Sequence, residues 1–155
     1  MFYFDNNLIE EYAKWKQAND NNFSWWSYVN MKSDLQTALA FTRFFTPKLI
    51  QVDECLILED RFSTDLFEQW KCQCDKTGIE KAMNSYELKD FFHINTKWDD
   101  NWQEQLLVLG EALKYFWSMS FRQQHPQKTI VVDTFEEDDS NYITVYEQYQ
   151  SKSTD

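Results

Sequence analysis

Two glycines and two prolines in 155 residues leave this chain nearly without the usual means of turning sharply. Glycine supplies left-handed backbone and proline a fixed φ, and most tight turns use one or the other. Here the turns must fall to Asn, Asp and Ser, which tolerate such conformations and bond to neighbouring backbone. The glycines, Gly78 and Gly110, stand alone. Phosphate-binding loops and dinucleotide-binding turns need clustered glycines so that backbone N–H groups can approach phosphate. The common nucleotide-binding folds are therefore excluded.

The apolar material is largely aromatic, with 7 Trp, 8 Tyr and 13 Phe. Each such side chain can bury about 150–250 Å², so the body of the chain is expected to fold. The length suits one domain, expected over residues 1–150, with 151–155 as a frayed tail. No apolar run reaches the roughly 18 residues of a membrane span. Met1-Phe-Tyr-Phe-Asp5 lacks the basic and long apolar regions of a signal peptide. Cys55, Cys72 and Cys74 are odd in number, and Cys72 and Cys74 point apart at helical spacing. Three reduced thiols in a cytoplasmic protein are the expectation.

Periodicity places the elements. Leu8, Ile9, Tyr12 and Trp15 form one stripe of a helix over about 7–17. The aromatic segment 23–29 reads as a helical turn. Ser33 or Asp34 caps a helix whose inward face is Leu35, Ala38, Leu39, Thr42 and Phe45, and Pro47 stops it. Leu49–Val52 and Cys55–Leu58 flank Asp53-Glu54 as a short hairpin or one bent strand, and the second piece is apolar enough to be covered on both faces. Ser63 or Thr64 caps a helix with Leu66, Phe67, Trp70 and Cys74 inward. A break near Gly78 precedes a short helix holding Ile79, Ala82 and Met83. The longest helix spans about 100–124, capped by Asp99 or Asp100, with a stripe of Trp102, Leu106, Leu109, Leu113, Phe116 and Ser120. Leu107, Trp117 and Phe121 widen that stripe. Gly110 inside the helix costs about 1 kcal/mol against Ala and implies close approach of another element. Two strands, 129–135 and 142–149, close the chain around a polar loop over 136–141. Strands do not alternate with helices. The expected class is α+β: about five helices packed with a small, mainly antiparallel sheet that includes a C-terminal hairpin.

Chemistry-bearing motifs are scarce. Two histidines, His93 and His125, and the three cysteines lack the spacing of a structural zinc site. No Ser sits in a nucleophile elbow. A Cys55–His93 pair stays open, as do paired carboxylates, which 26 acids make inevitable. No cofactor or metal is implied.

Charge is the more informative signal. The net charge is −11, and residues 129–155 carry seven acids against one base. Such a field repels phosphates and anionic membranes and steers a basic partner. Direct nucleic-acid and membrane binding are not expected. The candidate partner-binding residues are Asp133, Glu136, Glu137, Asp138 and Asp139, with Tyr142 and Tyr146, and with Asp53 and Glu54 at the other turn. Tyr142, Tyr146 and Tyr149 are expected on one face, and tyrosine beside carboxylates is a frequent hot-spot composition.

The run Phe41-Thr-Arg-Phe-Phe-Thr-Pro-Lys-Leu-Ile-Gln-Val-Asp-Glu-Cys-Leu-Ile-Leu58 resembles a signature of small uncharacterised bacterial cytosolic proteins. Phe67-Glu-Gln-Trp70 and Ile79-Glu-Lys-Ala82 continue it. That resemblance brings no catalytic residues. In overall character the chain is similar to immunity proteins of bacterial toxin systems, which are small, acidic, glycine-poor and aromatic-rich. The expectation is a non-enzymatic immunity protein that covers a basic toxin, such as a nuclease. Another interaction module, an adaptor or a DNA mimic, and a carboxylate-based enzyme remain alternatives.

Overall fold

A computed structural model describes residues 1–19 and 22–149. The expected frayed tail at 151–155 lies outside them. Among the described residues six α-helices, one more than expected, and five strands follow in the order α1 (Glu10–Ala18), α2 (Trp25–Lys32), α3 (Leu35–Phe45), β1 (Leu49–Val52), β2 (Cys55–Leu58), α4 (Thr64–Lys71), α5 (Lys76–Met83), β3 (Tyr86–Glu87), α6 (Trp102–Gln124), β4 (Ile130–Glu137) and β5 (Ser140–Glu147). The class is α+β with small antiparallel sheets. β1 pairs with β2, and a separate three-stranded sheet runs in the order β3-β5-β4.

Asp and Ser do the local work that Gly and Pro cannot. Ser24, Asp34, Ser63 and Asp75 accept backbone N–H bonds at the starts of α2 to α5. Such caps satisfy donors that have no partner inside the helix. α6 departs from expectation. It starts at Trp102 after Asn101, with no side-chain cap, and Asp99 instead accepts from the Asn101 amide. Both hairpin turns rest on aspartate in left-handed backbone. Asp53 has φ 51°, and Asp138 and Asp139 have φ 50° and 60°. The paired values are those of a two-residue turn whose twist matches its strands. The polar loop expected over 136–141 is therefore only Asp138-Asp139. Glu136 and Glu137 belong to β4, opposite Asn141 and Ser140.

The core has two compartments, and β2 divides them. Leu56 and Leu58 face one, with Leu113, Trp117 and Phe121 of α6 and Val145 of β5. Cys55 and Ile57 face the other, with Phe67 of α4 and Ile79 and Met83 of α5. Alternate side chains of a strand point to opposite faces, and all four residues of β2 are buried as expected. Gly110 is explained by its neighbour: a Cβ there would lie 2.7 Å from Leu88 Cδ1, just after β3.

The joint between the two sheets is made by side chains. Glu80 and Asn84, one turn apart around the end of α5, are both fully buried. The Leu56 and Glu147 amides each donate to Glu80, to Oε1 and Oε2, at 2.7 Å. The Leu58 amide donates to Asn84 Oδ1 at 2.8 Å, and Asn84 Nδ2 donates to the carbonyls of Leu56 and Val145. Two side chains thus supply the bonds that a continuous ladder between β2 and β5 would have made. Every buried polar group of this joint has a partner, as low-dielectric burial demands.

Some apolar faces were misassigned by periodicity. In α3 the residues turned toward the body are Phe44 and Phe45, which pack on the core. Leu35 and Leu39 are 76% and 60% exposed. In α4, Phe67 is buried but Leu66 is exposed. In α6, Leu107 and Phe116 are exposed, while Leu113, Trp117 and Phe121 are sealed.

Candidate functional site

The β4–β5 hairpin carries most of the expected site. β4 is an edge strand. Phe135, Asp133 and Glu137 share one face of the hairpin with Tyr142, Thr144 and Ser140, their cross-strand partners. The Phe135 and Tyr142 rings stack, with centroids 5.3 Å apart and planes within 16°. Beyond them the acids Glu136, Glu137, Asp138 and Asp139 are exposed. Among the described residues, none of these four carboxylates has a cation within ion-pair distance. Asp133 differs, since its Oδ1 lies 3.6 Å from Lys114 Nζ.

The remaining candidates spread away from that end. Tyr146 lies on the same face as Tyr142, with Lys81 Nζ 4.3 Å from its ring centroid. Tyr149 does not continue the row. It is an odd number of residues from both, lies beyond the end of β5, donates to Glu147 Oε2 at 2.8 Å and carries the Lys76 ammonium over its ring. Burial and the adjoining carboxylate push its phenol pKa up. Asp53 is neutralised by Lys71 at 2.6 Å. Glu54 is exposed. The registers separate the two acidic turns. Glu80 joins Leu56 to Glu147 and Asn84 joins Leu58 to Val145, so β2 and β5 run antiparallel with their turns at opposite ends. At about 3.4 Å per residue, the length of β5 alone puts roughly 25 Å between them. Asp53-Glu54 and Asp138-Asp139 cannot form one small contact.

Cys55 and His93 are not brought together. Cys55 packs in the core beside Ile57 and Phe67, and burial pushes its thiol pKa up. His93 is exposed near Glu87, at the other end of β5. All three cysteines are free. Two buried or half-buried acids have opposite tendencies. Burial pushes the Glu80 carboxyl up, and the two amide bonds offset that only in part. Burial also opposes ionisation of Glu147, but bonds from Lys128 and Tyr149 and the charge of Lys76 outweigh it and hold its pKa low. The Glu80 side chain serves the sheet joint, where sequence reasoning expected no polar group; Glu147 enters it through its backbone amide, and its carboxylate pairs with Lys76 and Lys128. No helix of the described residues is long and apolar enough to cross a membrane.

Comparison with known proteins finds no matching family model, no similar curated protein and no similar solved structure.

Proposed function

We propose that this chain is a non-enzymatic binding protein that neutralises a basic bacterial toxin, a nuclease, by covering it with the acidic end of the β4–β5 hairpin. One observation carries the reading: four carboxylates, Glu136 and Glu137 at the end of β4 and Asp138 and Asp139 in the turn after it, stand exposed next to the stacked Phe135–Tyr142 pair, with no cation of the described residues within ion-pair distance. Their charge steers a cationic partner and presents spaced anions where a nuclease reads phosphates. The aromatic pair gives the same surface an apolar anchor.

The test is capture of a basic partner by the intact protein, followed by association rates at rising salt. Changing Glu136 and Glu137 to Gln and Asp138 and Asp139 to Asn keeps the shape, because Asn also tolerates left-handed backbone. The variant should associate about tenfold or more slowly at low salt and lose most of the salt dependence. Unchanged rates, or no protection of cells against a toxin encoded beside the gene, would sink the reading. Inhibition of many unrelated DNA-binding proteins would instead indicate a DNA mimic.

A further inference from the structure

Just before and at the start of α6, the indoles of Trp98 and Trp102 meet at 86°, with centroids 5.1 Å apart. They form an open corner, and Trp98 is nearly half exposed. The ammonium of Lys89 sits in it, 5.5 Å from one ring centroid and 5.6 Å from the other. Glu87, Asp90 and His93 complete a surface hollow of about 580 Å³. Among the described residues no carboxylate lies within ion-pair distance of Lys89, so the two rings hold it alone.

We propose that this corner is a binding site for a methylated alkylammonium ion, and that Lys89 is its internal placeholder. An indole face is electron-rich and attracts a cation within about 6 Å of its centroid. Two such faces at a right angle offer attraction from two sides. A primary ammonium is compact and strongly hydrated, so a solvent-open corner holds it weakly. A trimethylammonium head gives up water more cheaply, and its methyl groups add apolar contact with both rings. Glu87 and Asp90 in the wall add attraction of the right sign. Glu87 also pairs with Tyr142 across the β3–β5 ladder, and Tyr142 with Phe135, so the corner lies in line with the hairpin surface. The site does not depend on what the hairpin binds.

The ligand head could belong to a free quaternary amine or to a trimethylated lysine of another protein. The experiment titrates the full chain with butyltrimethylammonium, followed by tryptophan fluorescence and calorimetry, with the neutral tert-butyl isostere as control. Lys89→Ala should tighten binding about three- to fivefold by removing the competitor. Trp98→Ala should weaken it about tenfold, and Trp102→Phe by less. Equal binding of the neutral isostere, indifference to Trp98→Ala, or no tightening in Lys89→Ala would each overturn the proposal. A trimethyl-lysine peptide that outbinds butyltrimethylammonium assigns the head to a protein, and equal affinity assigns it to a free amine.

Discussion

The two halves of this molecule use apolar residues in opposite ways. From β1 onward, a sealed core forms around β2 and α6, and its polar intruders, Glu80 and Asn84, are fully bonded. Before β1, the chain builds an aromatic layer instead. Tyr12 stacks on Trp25 at 3.7 Å, with Trp15, Phe23 and Tyr28 edge-on or tilted around them. Yet α2 and α3 contain no buried residue. Trp26, Leu35 and Leu39 are each at least 60% exposed. Ring geometry can organise a layer without closing it, whereas the sheet half excludes water because its backbone bonds are completed from the side. The contrast predicts where the fold is sensitive.

The largest effects belong to the joint. Glu80→Ala strands the Leu56 and Glu147 amides, and Asn84→Ala the Leu58 amide and the Leu56 and Val145 carbonyls, each at a cost of about 3 kcal/mol or more, measured by urea unfolding. Leu113→Ala in the same half should cost about 3 kcal/mol. Losses below about 1 kcal/mol at Glu80 and Asn84 would mean that the two sheets are joined by apolar packing alone.

Next comes Gly110→Ala. The added methyl meets Leu88 Cδ1, and overpacking of about 1–3 kcal/mol exceeds the roughly 1 kcal/mol gained in helix propensity. Pairing it with Leu88→Ala should be markedly less than additive. Additive losses would show that the close approach does not matter.

The pH response separates the two acids at the joint. The Glu80 pKa is raised, so its contribution is present below the ordinary carboxylate range and is lost as pH rises through the raised value. That of Glu147 is lowered, so its contribution is present above the ordinary range and is lost as pH falls through the lowered value. Urea midpoints taken across the carboxylate range should show Glu80→Gln flattening the first slope and Glu147→Gln the second. Identical slopes in both variants would contradict these assignments.

The smallest effects are expected in the open half. Leu35→Ser and Leu39→Ser should change stability by no more than about 0.5 kcal/mol. A larger loss in the isolated protein would show that this face is sealed in solution, and the contrast between the halves would fail.

Much of this architecture could be read from residues alone. The β1–β2 hairpin, the end of α6 at Pro126 and the C-terminal strand pair follow from alternation and punctuation. The facing of α3 could be read only in part: of the expected face Leu35-Ala38-Leu39-Thr42-Phe45, Phe45 packs on the core with Phe44, while Leu35 and Leu39 are exposed, because a second run of aromatics, Phe41 and Phe44, shares the helix and period alone does not choose between them. Glu136 and Glu137 read as loop because two aspartates in left-handed backbone make a tighter turn than their polarity suggests. Glu80 and Asn84 were invisible as core residues, since each follows an apolar neighbour, Ile79 and Met83, and looks like the solvated side of α5. Among the candidate residues, the clustering of acids in the hairpin is legible from charge. Their separation from Asp53-Glu54 depended on strand register, and the Trp98–Trp102 corner on where the chain enters α6.

The joint also dictates an order of assembly. Each hairpin closes between near neighbours in the chain, an event of about 1–10 μs. The bonds of α5 to β5 span 61 and 67 positions, and closing such loops carries an entropic cost that only later contacts recover. The hairpins can therefore form early and wait, while the seating of α5 completes the fold. The amides of Leu56, Leu58 and Glu147, all held by Glu80 and Asn84, should therefore exchange with solvent together, as one cooperative unit.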